Sequence, residues 1–527
     1  MIQLRRPTRP SAAGLCLLLL VVAVRPPVAT AQTFDVVEAT IADAQQALRS
    51  RRVTCRALVQ AHLDRIAAYD KTGPTLNTIQ TVNPRALAQA DSLDGLLRAG
   101  RMAGPLFCVP VLVKDQIETR DMPTTYGSAL FQTFTPTRDA TVVVRLKAAG
   151  AIVIAKTTMG EFASRYAGSA FGIVRNAYDP TRNPSGSSGG TGSGVAASFG
   201  LVGIGEDTGG SVRGPAAVNA LVGLRPTLQL VSRHGMMPAN PTQDTMGPMA
   251  RTVMDAAILL GVMVGYDPAD PITAYAVGQT PADYAAGLRA DALRGARIGV
   301  LREPMDSSID KSSDEYGRVR AVVDRAVGRL AGLGATVVDS IVIPDLALER
   351  HVGNDYETEA ATDEYLAEHP DAPVKTFKQI MLSGKVTPSR ARGMMELVGK
   401  TTDDPGYLTV LKKREALRLG VLRAMADQRL DAIVYATFDA EPATIPADVL
   451  TTAKEKDAYG KGSNRGLSPA IGFPALTVPA GFTSAGLPVG LEWLGRPFSE
   501  PMLLNFGFAF EQATRYRRPP PTTPGVR

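Results

Sequence analysis

Ser187 and Ser211 lie 24 residues apart, each embedded in glycine and serine. Ser187 belongs to Pro184-Ser-Gly-Ser-Ser-Gly-Gly-Thr-Gly-Ser-Gly194, and Ser211 to Gly205-Glu-Asp-Thr-Gly-Gly-Ser-Val-Arg-Gly-Pro215. A serine hydroxyl is a weak nucleophile until a base takes its proton. A tetrahedral intermediate on that serine then needs N–H donors around its oxyanion. Gly209 and Gly210 leave the backbone bare just before Ser211, so the N–H groups of Thr208, Gly209, Gly210 and Ser211 are candidates to converge on one oxygen. Chemistry of this kind is acyl transfer.

Other readings of the glycines fit less well. A phosphate-binding loop needs a lysine followed by Ser or Thr, and this stretch has no lysine. Gly192-Ser-Gly194-Val-Ala-Ala197 matches a short dinucleotide pattern, but no convincing strand leads into it. A flexible linker would not need Val195, Leu201, Val202 and Ile204 among the glycines, nor Asp207 and Arg213 beside them.

The base follows by elimination. The histidines are His62, His234, His351 and His369, and none has an evident triad context. Lysine serves as a base where burial disfavours its ammonium form. Lys114 directly follows Val111-Leu-Val113. By itself, a lysine ending a strand is ordinarily a surface residue, and an apolar strand running into it is also a way to bury it.

The elements that must position these groups alternate between helix and strand. Two helices are expected within about 35–69, with Leu58, Ile66 and Tyr69 on one face and His62 at its edge. A third covers about 85–99, Phe107–Lys114 reads as a short apolar strand, Ala140–Ala149 as a helix and Ala151–Ala155 as a buried strand. The alternation resumes with Val253–Val264, Arg297–Leu301, Val319–Leu330 and Ala335–Ile343. Residues 345–410 are more charged and read as an irregular decoration. Strands return at Leu430–Tyr435 and Ala475–Val478, and Pro501–Ala513 closes as a helix. The pattern predicts an α/β sheet with helices on its faces.

The first 31 residues read as an export signal: Arg5, Arg6 and Arg9, an uncharged run over Ala12–Val24, then Ala29-Thr-Ala31 as a cleavage site. The run is too short for a membrane anchor, which needs about 20 residues. The segment holds four arginines and no acid, so the net charge of +6 falls to +2 after cleavage at Ala31. No dense basic stripe points to nucleic acid. With Cys16 removed, Cys55 and Cys108 remain, as a disulfide or as two buried thiols. No CxxC pair or histidine cluster marks a metal site.

Four blocks resemble the amidase signature family of serine hydrolases: Gly104–Asp115, Asn183–Gly190, Gly205–Arg213 and Gly472–Gly481. The segment from Gly486 to Phe498 is similar to that family's ending. The resemblance covers nearly all of residues 32–527. It implies one large α/β domain with a mixed, twisted central β-sheet surrounded by helices, and no cofactor. It also implies a Ser–Ser–Lys triad: Ser211 as nucleophile, Ser187 as proton relay behind a cis Gly186–Ser187 peptide, and neutral Lys114 as base. Asp207 and Arg213 are implied as supports of the loop or as purely structural residues. Glu206 stands where Ser or Thr is common, and Cys108 where Gly is common; neither is expected to touch the triad. The implied activity is hydrolysis of a small-molecule or peptide amide through a Ser211 acyl-enzyme. An ester-preferring hydrolase and an inactive secreted binding protein are the alternatives. Peptide, aryl and fatty amides all fit, the pocket falls somewhere within about 265–460, and oligomeric state is not legible.

Overall fold

In the parallel centre of the sheet, Pro110–Lys114 is buried along its whole length and pairs in parallel with Ile152–Thr157 on one side and Val202–Asp207 on the other. A strand covered on both faces reads as a continuous apolar run, and Val-Leu-Val is such a run. The computed structural model describes residues 1–3, 7–8, 34–303, 309–344, 346–347, 353, 355–454 and 463–526. The export-signal expectation falls almost wholly outside them. The chain divides into Met1–Thr33 and Phe34–Arg527. The second unit carries the whole main sheet and both serines.

Eleven strands form one mixed sheet. In spatial order they are Ile79–Val82, Ile152–Thr157, Pro110–Lys114, Val202–Asp207, Thr245–Ala250, Val222–Arg225, Ala475–Phe482, Pro488–Leu494, Ala432–Ala436, Arg297–Leu301 and Thr336–Ile341. Helices wrap the sheet in one α/β domain, as the alternation predicts. Their starts are marked by side-chain caps: Thr40 with Asp43 forms a capping box for Ile41–Arg49, and Thr54, Thr252 and Ser313 cap Cys55–Tyr69, Val253–Met263 and Asp314–Gly332.

The structure changes three expectations. His62 is not at the edge of its helix face: it is fully buried, with Nδ1 2.9 Å from the Ser198 carbonyl. Residues 345–410 are not irregular: they include the helices Thr358–Ala367, Phe377–Leu382, Pro388–Met395 and the start of Pro405–Asp427. The sequence pattern does not show the strands Ile79–Val82, Val222–Arg225, Thr245–Ala250 and Pro488–Leu494, because the first is four residues long and half polar and Gly223, Gly247, Pro248 and Gly490 interrupt the others.

Candidate active site

The parallel register pairs Val113 with Ile204, so Lys114 and Glu206 leave neighbouring strand ends together. These are carboxyl ends of parallel strands, the usual side for ligands in such sheets. Lys114 is fully buried. Its Nζ lies 2.7 Å from Ser187 Oγ, 2.7 Å from Glu206 Oε2 and 3.3 Å from the Glu206 carbonyl. The expectation that Glu206 stays clear of the triad is therefore wrong. Adjacent strand ends at that register bring a carboxylate onto the lysine, with both side chains shielded from water.

Two bonds at Ser188 stitch the serine stretch to the same strand: its Oγ donates to the Glu206 carbonyl at 3.2 Å and accepts from the Glu206 N–H at 3.3 Å. The Gly160 N–H holds the Ser187 carbonyl at 3.1 Å. The Gly186–Ser187 peptide is cis. A Cβ at Gly186 would fall 1.5 Å from the Arg165 carbonyl oxygen, so no larger residue fits there. The helix Gly189–Ala196 follows and packs against Arg213–Val218, the helix after Ser211. Ser211 is half-buried, in the turn joining Val202–Asp207 to that helix.

Asp207 holds this turn from beneath. Its Oδ1 accepts the Gly210 N–H at 2.7 Å, and its Oδ2 accepts the Val212 N–H at 3.1 Å and Arg213 Nε at 3.2 Å. Arg225 reaches the Asp207 carbonyl, and the far end of Arg213 reaches Glu492. Burial alone would raise the Asp207 carboxyl. The charges of Arg213 and Arg225, with the N–H donors, overcome it and hold the group well below the usual carboxylate range. The four expected oxyanion donors are thus not equivalent: the Gly210 N–H is donated to Asp207.

A second carboxylate sits behind Glu206. Thr208 Oγ1 is 2.5 Å from Glu206 Oε1 and 2.8 Å from Asp244 Oδ1. Asp244 Oδ2 accepts the N–H groups of Ala239 and Asn240 at 2.7 and 2.8 Å. Burial, then the charge of Glu206, pushes Asp244 up to about 7. Asp244, Arg225 and Glu492 were missed by the sequence reading; all three belong to or adjoin the unread strands. A further buried lysine, Lys156, donates to Thr124 Oγ1 at 2.9 Å, and burial lowers it to about 8.

A cavity is lined by Gln116, Tyr126, Met159, Phe162, Met237, Phe377 and Met394 among others. Met159 precedes Gly160, the residue bonded to Ser187. The far wall comes from the helices over 358–395. Cys55 and Cys108 form a disulfide with Cα atoms 5.6 Å apart. It joins the helix Cys55–Tyr69 to the approach to the Lys114 strand.

Comparison with known proteins places the chain in a family. A family model described as Amidase matches residues 57–504. A probable amidase of Arabidopsis thaliana is 32% identical, over 93% of this chain and 92% of its own. One component of the glutamyl-tRNA(Gln) amidotransferase of Thermosynechococcus vestitus is 34% identical, over 90% and 98%. The native peptide amidase of Stenotrophomonas maltophilia superposes with a TM-score of 0.81 at 35% identity, covering 92% of this chain and 98% of that one. The chain belongs to the amidase family, hydrolases of carbon–nitrogen bonds in amides.

Proposed function

We propose that the protein hydrolyses a carboxylic amide through an acyl-enzyme on Ser211, with Ser187 relaying the proton to Lys114. The observation that carries this reading is the 2.7 Å contact between Lys114 Nζ and Ser187 Oγ inside a water-excluded site. In its neutral form Lys114 takes the Ser187 proton while Ser187 takes that of Ser211, and Ser211 Oγ attacks the amide carbon. The N–H groups of Thr208, Gly209 and Ser211 are the oxyanion donors. The proton returns through Ser187 to the leaving amine, and water then releases the acid.

The substrate we assign is a peptide amide or a similar small amide. The likeness to peptide amidase supports it, and so does the largely apolar cavity lined by Met159, the residue before the Gly160 that bonds Ser187. We place the protein outside the cytoplasm, on the basic, apolar and small-residue pattern of residues 1–31 and on the Cys55–Cys108 disulfide, a bond that persists in oxidising compartments. The test is amine or ammonia release from a panel of peptide, aryl and fatty amides, with esters alongside. Ser211→Ala and Lys114→Ala should each lose turnover by about a thousandfold or more. Activity surviving in Ser211→Ala would remove Ser211 as nucleophile. A panel on which only esters react would replace amidase with esterase.

A further inference from the structure

Gln116 is a buried amide with one end unused. Its Nε2 donates to the Met237 carbonyl at 3.1 Å. A carbonyl only accepts, so this bond fixes which end of the side chain is which. Oε1 is the other end, buried and without a hydrogen-bond partner among the described residues. A buried acceptor left unpaired is costly, and a ligand N–H that reaches it removes that cost. Gln116 lines the cavity it shares with Met159, Phe162, Met237, Ala239 and Met394.

Three stretches of that lining are tied to the catalytic residues. Gln116 is two residues beyond Lys114, so their Cα atoms lie within about 8 Å. Met159 and Phe162 belong to the segment that grips the Ser187 loop. There the Gly160 N–H bonds the Ser187 carbonyl at 3.1 Å, and Gly186 packs on the Arg165 carbonyl. The Ala239 N–H bonds Asp244 at 2.7 Å, and Asp244 meets Thr208, three residues before Ser211, at 2.8 Å. Through these ties the cavity is bounded by the segments that carry or hold Lys114, Ser187 and the Ser211 turn.

We propose that Gln116 reads the acyl half of the substrate, its Oε1 accepting the α-N–H of an N-acylated amino acid amide whose small apolar side chain enters this cavity. The inference rests on the Ser211 acyl-enzyme reading and makes Gln116 a specificity-determining residue within it. The leaving amine takes up a proton and departs to water, which an apolar space does not favour. The acyl half stays on Ser211 through the second step, so it is the half that such a space holds. The free volume is about 20 Å³, room for about one water-sized group, which favours a methyl over a benzyl side chain. Met159, Met237 and Met394 are adaptable walls that let so small a group in. Arg390, also in the lining, offers donors only and so gives an N–H no partner.

The experiment reads initial rates of ammonia release by the full-length protein from two amides. They are N-acetylalaninamide and its depsi analogue O-acetyllactamide, in which oxygen replaces the α-N–H. A site built to bond an N–H rejects the analogue that lacks it, because its buried acceptor is then left unpaired. The wild type should favour N-acetylalaninamide by about tenfold or more in kcat/KM, and should turn over N-acetylphenylalaninamide more slowly. Gln116→Met, close in length but without the acceptor, should bring the ratio to within about threefold of one. A purely structural glutamine would lower both substrates alike and keep the ratio. Thermal melts check folding, and Gln116→Leu replaces Gln116→Met should the latter fail to fold. A wild-type ratio near one, a ratio kept in the folded variant, or turnover of other amides with neither of these two overturns the proposal. A wild type that releases ammonia from no amide at all overturns the acyl-enzyme reading instead.

Discussion

Asp207 is the single residue on which the geometry of the nucleophile turn depends. It accepts backbone N–H groups on both sides of Ser211, from Gly210 and Val212, and faces the buried guanidiniums of Arg213 and Arg225. Removing one partner of a buried ion pair strands the other charge, which costs about 3–5 kcal/mol. Asp207→Ala is therefore expected to lower stability by that order in urea unfolding. Asp207→Asn should lose less stability, because the side chain keeps its shape, yet still lose turnover, because two cations face a neutral amide. Equal turnover in Asp207→Asn and wild type would show that the loop does not need the charge. At this scale much was legible. Ser211, Asp207 and Arg213 stand out in a glycine-rich block, whereas the pairing of Lys114 with Ser187 comes only with the resemblance to the amidase signature family, because a lysine ending an apolar strand is by itself ordinarily a surface residue. Glu206 was named too but misplaced, because its contact with Lys114 depends on the register of two strands some ninety residues apart, which sequence spacing does not encode.

At the scale of elements, the helices over 358–395 wall the cavity that Gln116 and Met159 also line. An aromatic cluster of Tyr126, Phe131, Phe134, Phe162 and Phe377 anchors them to the sheet side. A buried polar tie adds to it: Tyr365 Oη donates to Glu118 Oε1 at 2.5 Å, and His369 Nε2 lies 2.7 Å from the same oxygen. Met394 is buried in this layer and lines the cavity. Truncating it leaves space that the packed aromatics refill only in part, at a cost of about 2–5 kcal/mol. Met394→Ala is expected to shift kcat/KM toward amides with larger acyl groups relative to the smallest in the panel. An unchanged preference would move the substrate pocket elsewhere. The helices escaped sequence analysis because they are short and charged, with few apolar positions each, so no long 3.6-residue period emerges. The main sheet's apolar strands were legible for the converse reason. Those broken by Gly223, Gly247, Pro248 and Gly490 were not, since their strand character comes from pairing rather than from local pattern.

Across the whole molecule, the N-terminal helices, the glycine helix and the C-terminal tail are joined at one buried polar knot. Arg65 bonds the carbonyls of Ala197, Thr523 and Pro524, and His62, one turn earlier on the same helix, bonds that of Ser198. The disulfide at Cys55 fixes the start of that helix. Burial first, with the nearby charges of Arg251 and Arg65 adding to it, depresses His62 to about 3 against the Ser198 bond. The folded protein thus keeps His62 neutral, while the unfolded chain takes up its proton below about 6.5. Stability from this group is complete above about pH 6.5. It declines as pH falls toward 3, by up to about 1.4 kcal/mol per unit. Raised acids such as Asp255, at about 6, and Glu511, at about 7, have the opposite sign: their burial costs stability as pH rises through those values. The His62 contribution is isolated by comparing urea midpoints of wild type and His62→Gln from pH 7.5 to 4.5. The wild type should lose stability faster than the variant as the medium becomes acidic, because only it has an imidazole that the unfolded chain can protonate. Parallel curves would mean that His62 takes up its proton in the folded state as readily as in the unfolded one. That would require the helix Cys55–Tyr69 to open at its contact with Ser198 well before the sheet unfolds.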